Sequence, residues 1–420
     1  MEILSNDSKV FDQKETVGII WVTDEATKQG FYNGNSEWSN LGQGEPETGQ
    51  LAGALPRINS FQVEENDNNY GPINGMEDLR ISIANYYNRL YRMDKSSKYT
   101  YKNISVCMGG RLALNRVFSI LGNIRLGYKI PEYPAYLELF QNYASNVSPI
   151  CVPTQQATNF TIPVEDLERT IDAFKLDAFL MSNPCNPTGH VIKEQALKTY
   201  IEISRKRNFP LIIDEVYSHF IYDNGNPAEL PTSSSSFIED VNTDQVVIVD
   251  ALTKSFRYPG WRLAWIVAPE NIIENIAASA SGIDGGPSSP IQRAALQLFE
   301  PKNVDLETKI LREVFSKKHN LTLQVLRESG IICSDDSNST FYVWGDISQL
   351  PFPLNRSDIF FQEALKRKVI VVPGYLFDIR PDLDPSDSKF KNFIRFSFGS
   401  EETNLKMGLK RIAELIKFFA

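Results

Sequence analysis

The sequence predicts an α/β fold, with a large domain built on a mostly parallel sheet and a smaller α+β domain. Three observations lead there. At 420 residues the chain exceeds the ~250–300 residues at which a single core stops growing, so one large domain plus a smaller one is the natural division. Its middle carries short apolar runs, rich in β-branched residues and bounded by turn residues. Such runs suit strands buried on both faces. Helix-like stretches lie between them, and that alternation implies a parallel sheet.

In chain order, residues 1–60 read as an N-terminal arm and part of the small domain. The large domain spans 61–300, with strands expected at 104–108, 178–181, 211–213, 246–249 and 263–267 and helices at 112–121 and 194–207. From 301 to 420 the pattern changes to the smaller domain: a long amphipathic helix at 306–327, short strands at 341–344 and 393–396, and a closing helix at 404–419. The serine run 233–236 and the Asp/Pro-rich stretch 380–388 read as surface loops. There is no internal repeat.

Composition excludes several classes. Hydrophobic residues make up 42% and charged residues 23% of the chain, ordinary globular usage. A net charge of −9 argues against coating nucleic acid or an anionic membrane. The four cysteines, Cys107, Cys151, Cys185 and Cys333, lie far apart and form no C-x-x-C pair. Reduced thiols in a cytoplasmic protein are expected. His190, His219 and His319 show no metal-ligand spacing, so no metal is expected. The N-terminus MEILSNDSKV lacks the basic and apolar regions of a signal peptide. No apolar run approaches the ~18 residues of a membrane span.

The chemistry-bearing residues fall just after the apolar runs, where open α/β sheets bind ligands. Three constellations follow three expected strands: Asn-Pro-Cys-Asn-Pro-Thr-Gly at 183–189, Asp214-Glu-Val-Tyr217, and Thr253-Lys254 followed by Pro259-Gly260-Trp261-Arg262. Singly, each reads as a turn, an acidic strand end or a solvated lysine. Together and in order they resemble the class I/II, fold-type-I aminotransferases that use pyridoxal 5′-phosphate (PLP). The resemblance runs from about Leu41 to Gly399. It also rests on Leu41-Gly-Gln-Gly44, Tyr70-Gly-Pro-Ile-Asn-Gly75 with Leu79-Arg80, Gly109-Gly110-Arg111-Leu-Ala113-Leu114, Pro131-Glu-Tyr133-Pro134 and Arg395-Phe-Ser-Phe-Gly399.

The resemblance implies a role for each residue. PLP needs an amine for its aldehyde and an acid for its pyridine nitrogen. Lys254 matches the Schiff-base lysine, which also serves as general acid/base. Asp214 matches the carboxylate paired with the pyridinium. Tyr217 and Asn186 match donors to the ring's phenolate oxygen, and Tyr133 matches the stacking aromatic. Gly110 opens an expected helix whose N-terminus would hold the phosphate, with Arg262 beside it. Tyr70 matches a tyrosine that reaches the phosphate from the other subunit, implying a homodimer with shared active sites. Arg395 matches the clamp on the substrate α-carboxylate. Gly44 and Asn186 match positions beside the substrate.

Two departures stand out. Ala251 occupies the place of a serine that commonly contacts the phosphate, with Thr253 directly before Lys254. Arg111 stands where smaller or uncharged residues are common. Arg111 either offsets the missing serine or simply faces solvent. His190 and His219 read as structural, and Glu215 must point to the face opposite Asp214. The Asn186–Pro187 bond is expected to be cis. The implied reaction moves an amino group from an L-amino acid to a 2-oxo acid. Elimination, cyclisation or oxidation of an amino acid in specialised metabolism stays open, since fold and cofactor do not fix chemistry. A non-catalytic regulator on this fold is disfavoured by Lys254 and Asp214. Acidic and aromatic residues of the first loop (Asp24, Glu25, Phe31, Tyr32, Glu37, Trp38) would suit a cationic substrate, or simply form a solvated arm.

Overall fold

The computed structural model describes residues 18–223, 226–227, 230–381 and 383–420. The signal-peptide reading of the N-terminus, and Asp382 within the 380–388 loop, lie outside the described residues.

The centre is a sheet of seven strands: β1 (Ile104–Cys107), β2 (Ile124–Lys129), β3 (Val147–Val152), β4 (Ala178–Ser182), β5 (Leu211–Asp214), β6 (Val246–Ala251) and β7 (Ala264–Val267). Their order is β1-β7-β6-β5-β4-β2-β3. Strand β7 runs antiparallel to both its neighbours, and the remaining pairs are parallel. All five expected strands are present. The other two, β2 and β3, are broken in sequence by Arg125, Gly127 and Lys129, and by Ser148 and Pro149. Strand β3 lies at the sheet edge, where a proline removes no interior ladder bond.

Successive strand residues alternate between two separate cores. Ile212, Val247, Val249 and Ile266 join one cluster, while Leu211, Ile213, Val246, Ile248 and Trp265 join the other. Both faces are therefore covered, which explains why the strands read as unbroken apolar runs. The alternation continues past the strand end, so Asp214 and Glu215 face opposite sides.

The serine run is not a surface loop. Ser233, Ser234 and Ser235 are buried, and Ser234–Ser236 forms a short 3-10 turn. The reason is Glu215, a buried carboxylate that needs donors. It accepts from the Ser234 N–H at 2.7 Å and from the Ser234 hydroxyl. The carbonyl of Ser235 in turn accepts from buried Arg92 at 2.8 Å. The 380–388 stretch is largely exposed, as expected.

Toward the C-terminus, helix Pro301–Glu328 precedes a four-stranded antiparallel sheet of Ile332–Cys333, Tyr342–Asp346, Phe393–Ser397 and Val372–Pro373. Helix Glu402–Phe419 closes the chain. The N-terminal segment returns to this region: Ser39–Asn40 pairs in parallel with Val369–Ile370. Among the described residues, no helix is long and apolar enough to cross a membrane.

Candidate active site

Strands β4, β5 and β6 are parallel neighbours, so their carboxyl ends meet on one edge of the sheet. A cavity of about 300 Å³ lies there, large enough for a small cofactor with substrate. Lys254, Asp214, Arg262, Asn186, Tyr133, Tyr217, Gly110, Arg111 and Gly44 all line it, as predicted from the sequence alone.

Lys254 follows β6, and its Nζ donates to the carbonyl of Gly44. Burial pulls its pKa down to about 8, against the opposing charge of Glu45 and assisted by Arg395 and Arg262. Asp214 ends β5 and is buried. Its carboxylate accepts from the Tyr136 hydroxyl at 3.1 Å and the Val216 N–H at 3.3 Å. Burial pushes its pKa up to about 6, with those two bonds holding it back.

Gly109 precedes helix Gly110–Ser119 with φ +90°, a conformation that L side chains rarely adopt. A Cβ at this position would collide with the guanidinium of Arg262. The glycine thus lets Arg262 pack against the helix N-terminus, where free N–H groups and an arginine converge. Arg262 Nη1 donates to the Pro259 carbonyl at 3.1 Å. Ala251 and Thr253 line the same cavity. Arg111 is half exposed at the rim, and its Nε donates to the Tyr133 hydroxyl at 3.1 Å.

Arg395 is fully buried. Nη1 donates to Asn186 Oδ1 at 3.0 Å and Nη2 to the Gly42 carbonyl at 2.7 Å. Its guanidinium lies 4.1 Å over the Tyr342 ring. Nε has no partner. The hydroxyls of Tyr342 and Tyr217 are 2.9 Å apart. Asn186–Pro187 is cis. Tyr70 is fully exposed and does not line its own chain's cavity.

Sequence reasoning missed several neighbours. Tyr342 sits within an expected strand and gave no separate signal. Tyr136 follows Tyr133 at i+3 on a helical turn, a spacing that places both on one face and could have found it. Ile19, Ile20 and Thr23 of helix Gly18–Lys28 cover the cavity. The acidic groups of the first loop are engaged elsewhere: Glu25 pairs with Lys28 and Glu37 with Lys368. Phe31 and Trp38 are core residues. None of these lines the cavity, so the first loop gives no support for a cationic substrate.

The donor set fits PLP. An anion cradle (Gly110, Arg262), an amine (Lys254), a buried carboxylate (Asp214) and an aromatic ring (Tyr133) surround one cavity, and a Cβ at Gly109 would displace the Arg262 guanidinium from its present place in the cradle. The family described as Aminotransferase class I and II matches residues 36–412.

The chain belongs to the class I and II aminotransferases.

It is therefore an enzyme of amino-group transfer, in a family that is generally PLP-dependent. An aspartate aminotransferase of Sulfurisphaera tokodaii is 26% identical over 384 residues, covering 90% of this chain and 89% of the relative. A probable aspartate/prephenate aminotransferase of Thermus aquaticus is 27% identical over 357 residues, covering 83% and 84%. Among solved structures, the aspartate aminotransferase from Thermus thermophilus with maleate shares the fold at TM-score 0.76, with 22% identity over 96% of this chain and 97% of that one. The aromatic aminotransferase from Pyrococcus horikoshii aligns at TM-score 0.73, with 22% identity over 94% and 99%.

Proposed function

We propose that this aminotransferase holds PLP on Lys254 and moves an amino group from an L-amino acid to a 2-oxo acid. The observation that carries the reading is the gathering of Lys254, Asp214 and Arg262 around one cavity, with Arg395 bonded to Asn186 of its lining. When bound, PLP supplies an electron sink conjugated to the substrate's α-carbon.

The chain's own groups do the rest. With its pKa near 8, Lys254 has a substantial neutral fraction at physiological pH, so Nζ serves both as attachment point and as acceptor of the proton leaving the α-carbon. Asp214 supplies a buried negative charge beside a ring nitrogen. Pairing with a cation reverses the upward shift that burial imposes on it. The Tyr217 hydroxyl and Asn186 side-chain amide donate toward the ring's oxygen. Gly110 and Arg262 take the phosphate. Arg395 receives the α-carboxylate with a planar fork. Ile19 and Ile20 roof the cavity and exclude water.

The working unit in this reading is a cytoplasmic homodimer, in which Tyr70 reaches the partner's phosphate. Residues 61–300 form the cofactor domain, with 1–60 and 301–420 contributing the smaller one. The names of the relatives make aspartate and aromatic amino acids the first donors to try.

The test begins with the absorption spectrum of purified protein, then borohydride reduction and peptide mapping. The reduced cofactor is expected on Lys254, and keto acid beyond one equivalent per active site is expected from a donor only when a 2-oxo acid acceptor is present. An unmodified Lys254 in coloured, reduced protein would overturn the assignment. Ammonia released without an acceptor would replace transfer by elimination.

A further inference from the structure

Beside the cavity lies a closed polar cluster that the proposed reaction does not use. Lys129 ends β2, and its Nζ is 2.9 Å from Glu132 Oε1 and 3.2 Å from Cys185 Sγ. All three residues are at least nine-tenths buried. The hydroxyl of Ser182 donates to Glu132 Oε2 at 2.5 Å, so the carboxylate is fixed from both sides. The two other buried cysteines differ. Cys107 and Cys333 face the carbonyls of Ser105 and Ile331, and burial pushes both thiols up to about 12, whereas Cys185 faces the Pro131 carbonyl at 3.9 Å and the Lys129 amine as well.

A thiol held against an amine has a fixed second partner when it is oxidised. Cysteine oxidation begins at sulfenic acid, which condenses with a neighbouring nitrogen when one is in reach. We propose that Lys129 and Cys185 are a modification site, at which a peroxide converts the Nζ···Sγ contact into a covalent S–N bond. In the first step the thiol attacks hydrogen peroxide. The O–O bond breaks, an S–O bond forms, sulfur loses two electrons and water leaves. In the second, Glu132 takes a proton from the Lys129 ammonium. The freed amine attacks sulfur, the S–O bond breaks and its oxygen leaves as a second water. The sum is thiol, ammonium and peroxide giving sulfenamide, two waters and one proton, which rests on Glu132.

Access and consequence both follow from position. Ser182 and Asn186 line the central cavity, while Thr188 and His190 line a second one of about 230 Å³. Cys185 precedes the cavity residue Asn186 but itself lines neither cavity, so a small peroxide would reach it through local opening of this turn. The side chain of Asn186 holds Arg395, and Glu132 precedes Tyr133. Drawing Sγ to bonding distance of Nζ moves the turn that carries Asn186. The link therefore lowers activity, and thiol reductants restore it.

The experiment treats holoenzyme with hydrogen peroxide, alkylates free thiols, and digests without reductant for mass spectrometry. The expected product joins the Lys129 and Cys185 peptides with two hydrogens lost, and dithiothreitol separates them. Activity should fall in step with the joined peptide and return on reduction, while Cys185→Ser keeps its activity through the same treatment. The proposal is overturned if Cys185 is still alkylated after peroxide, or if it carries sulfinic or sulfonic acid with Lys129 unlinked. Equal loss of activity in Cys185→Ser would remove the regulatory meaning.

Discussion

Asp214 is kept where a carboxylate does not want to be. Burial raises its pKa from 3.8 to about 6, a cost of about 3 kcal/mol once it is ionised. The sign is fixed by linkage. A carboxyl with a raised folded pKa contributes stability below its unfolded pKa, and that stability is lost as pH rises through about 6. Cofactor-free wild-type protein should therefore lose stability between about pH 4 and 7 relative to cofactor-free Asp214→Asn. Urea melts across that range measure the difference, which includes the part of the Glu215 and Asp250 shifts that the Asp214 charge causes. A gap between the two curves that does not change with pH would refute the buried-charge account. Adding PLP should narrow the gap for wild type only. Asp214 was readable from sequence because an acid directly after an apolar strand is conspicuous. Tyr136, which donates to it, was hidden because tyrosines also fill cores.

At the scale of elements, the turn from β1 into helix Gly110–Ser119 is the phosphate end in the proposed reading. Gly109 combines φ +90° with close approach to Arg262. Gly109→Ala should weaken PLP binding roughly five- to thirty-fold, if the roughly 1–2 kcal/mol that a left-handed non-glycine residue costs is relieved by moving the turn off Arg262. Equilibrium dialysis of the cofactor-free protein reads the effect. Unchanged affinity would mean that Arg262 is not the phosphate ligand. This turn was legible because glycines at a strand–helix junction have few other uses. Strands β2 and β3 were not, because Arg125 and Pro149 hide the apolar pattern. The serine run was misread for a similar reason: composition suggests solvent, but the buried Glu215 draws those hydroxyls inward.

At the scale of the molecule, a chain of net charge −9 gathers Lys254, Arg262, Arg395 and Arg111 around or beside one cavity. Tyr70, fully exposed, lies away from it, and Arg395 meets it through Asn186 rather than lining it. A shared site makes a clear forecast. Tyr70→Ala and Lys254→Ala proteins should each be nearly inactive, and mixing them after dissociation should restore activity. One site of the hybrid then holds Lys254 from one subunit and Tyr70 from the other. No recovery, with subunit exchange confirmed by mass, would assign Tyr70 a role away from the phosphate. The sequence carried the α/β fold with its mostly parallel sheet through strand–helix alternation. It could not carry the cover formed by Ile19 and Ile20, since a short amphipathic helix does not announce what it lies upon.

Arg395 already has two donors bonded before any substrate arrives, Nη1 to Asn186 and Nη2 to the carbonyl of Gly42. Gly42 is two residues from Gly44, whose carbonyl holds the amine of Lys254. An entering carboxylate replaces neutral acceptors with a charged one and so gains on the exchange. A simple amine offers nothing in return and leaves the arginine bonded as before. With Arg395 as the carboxylate clamp that we propose, the site would screen visitors by their acid end before it tests their nitrogen, and the same short stretch of backbone that gives up Arg395 would be the one that must let the lysine go.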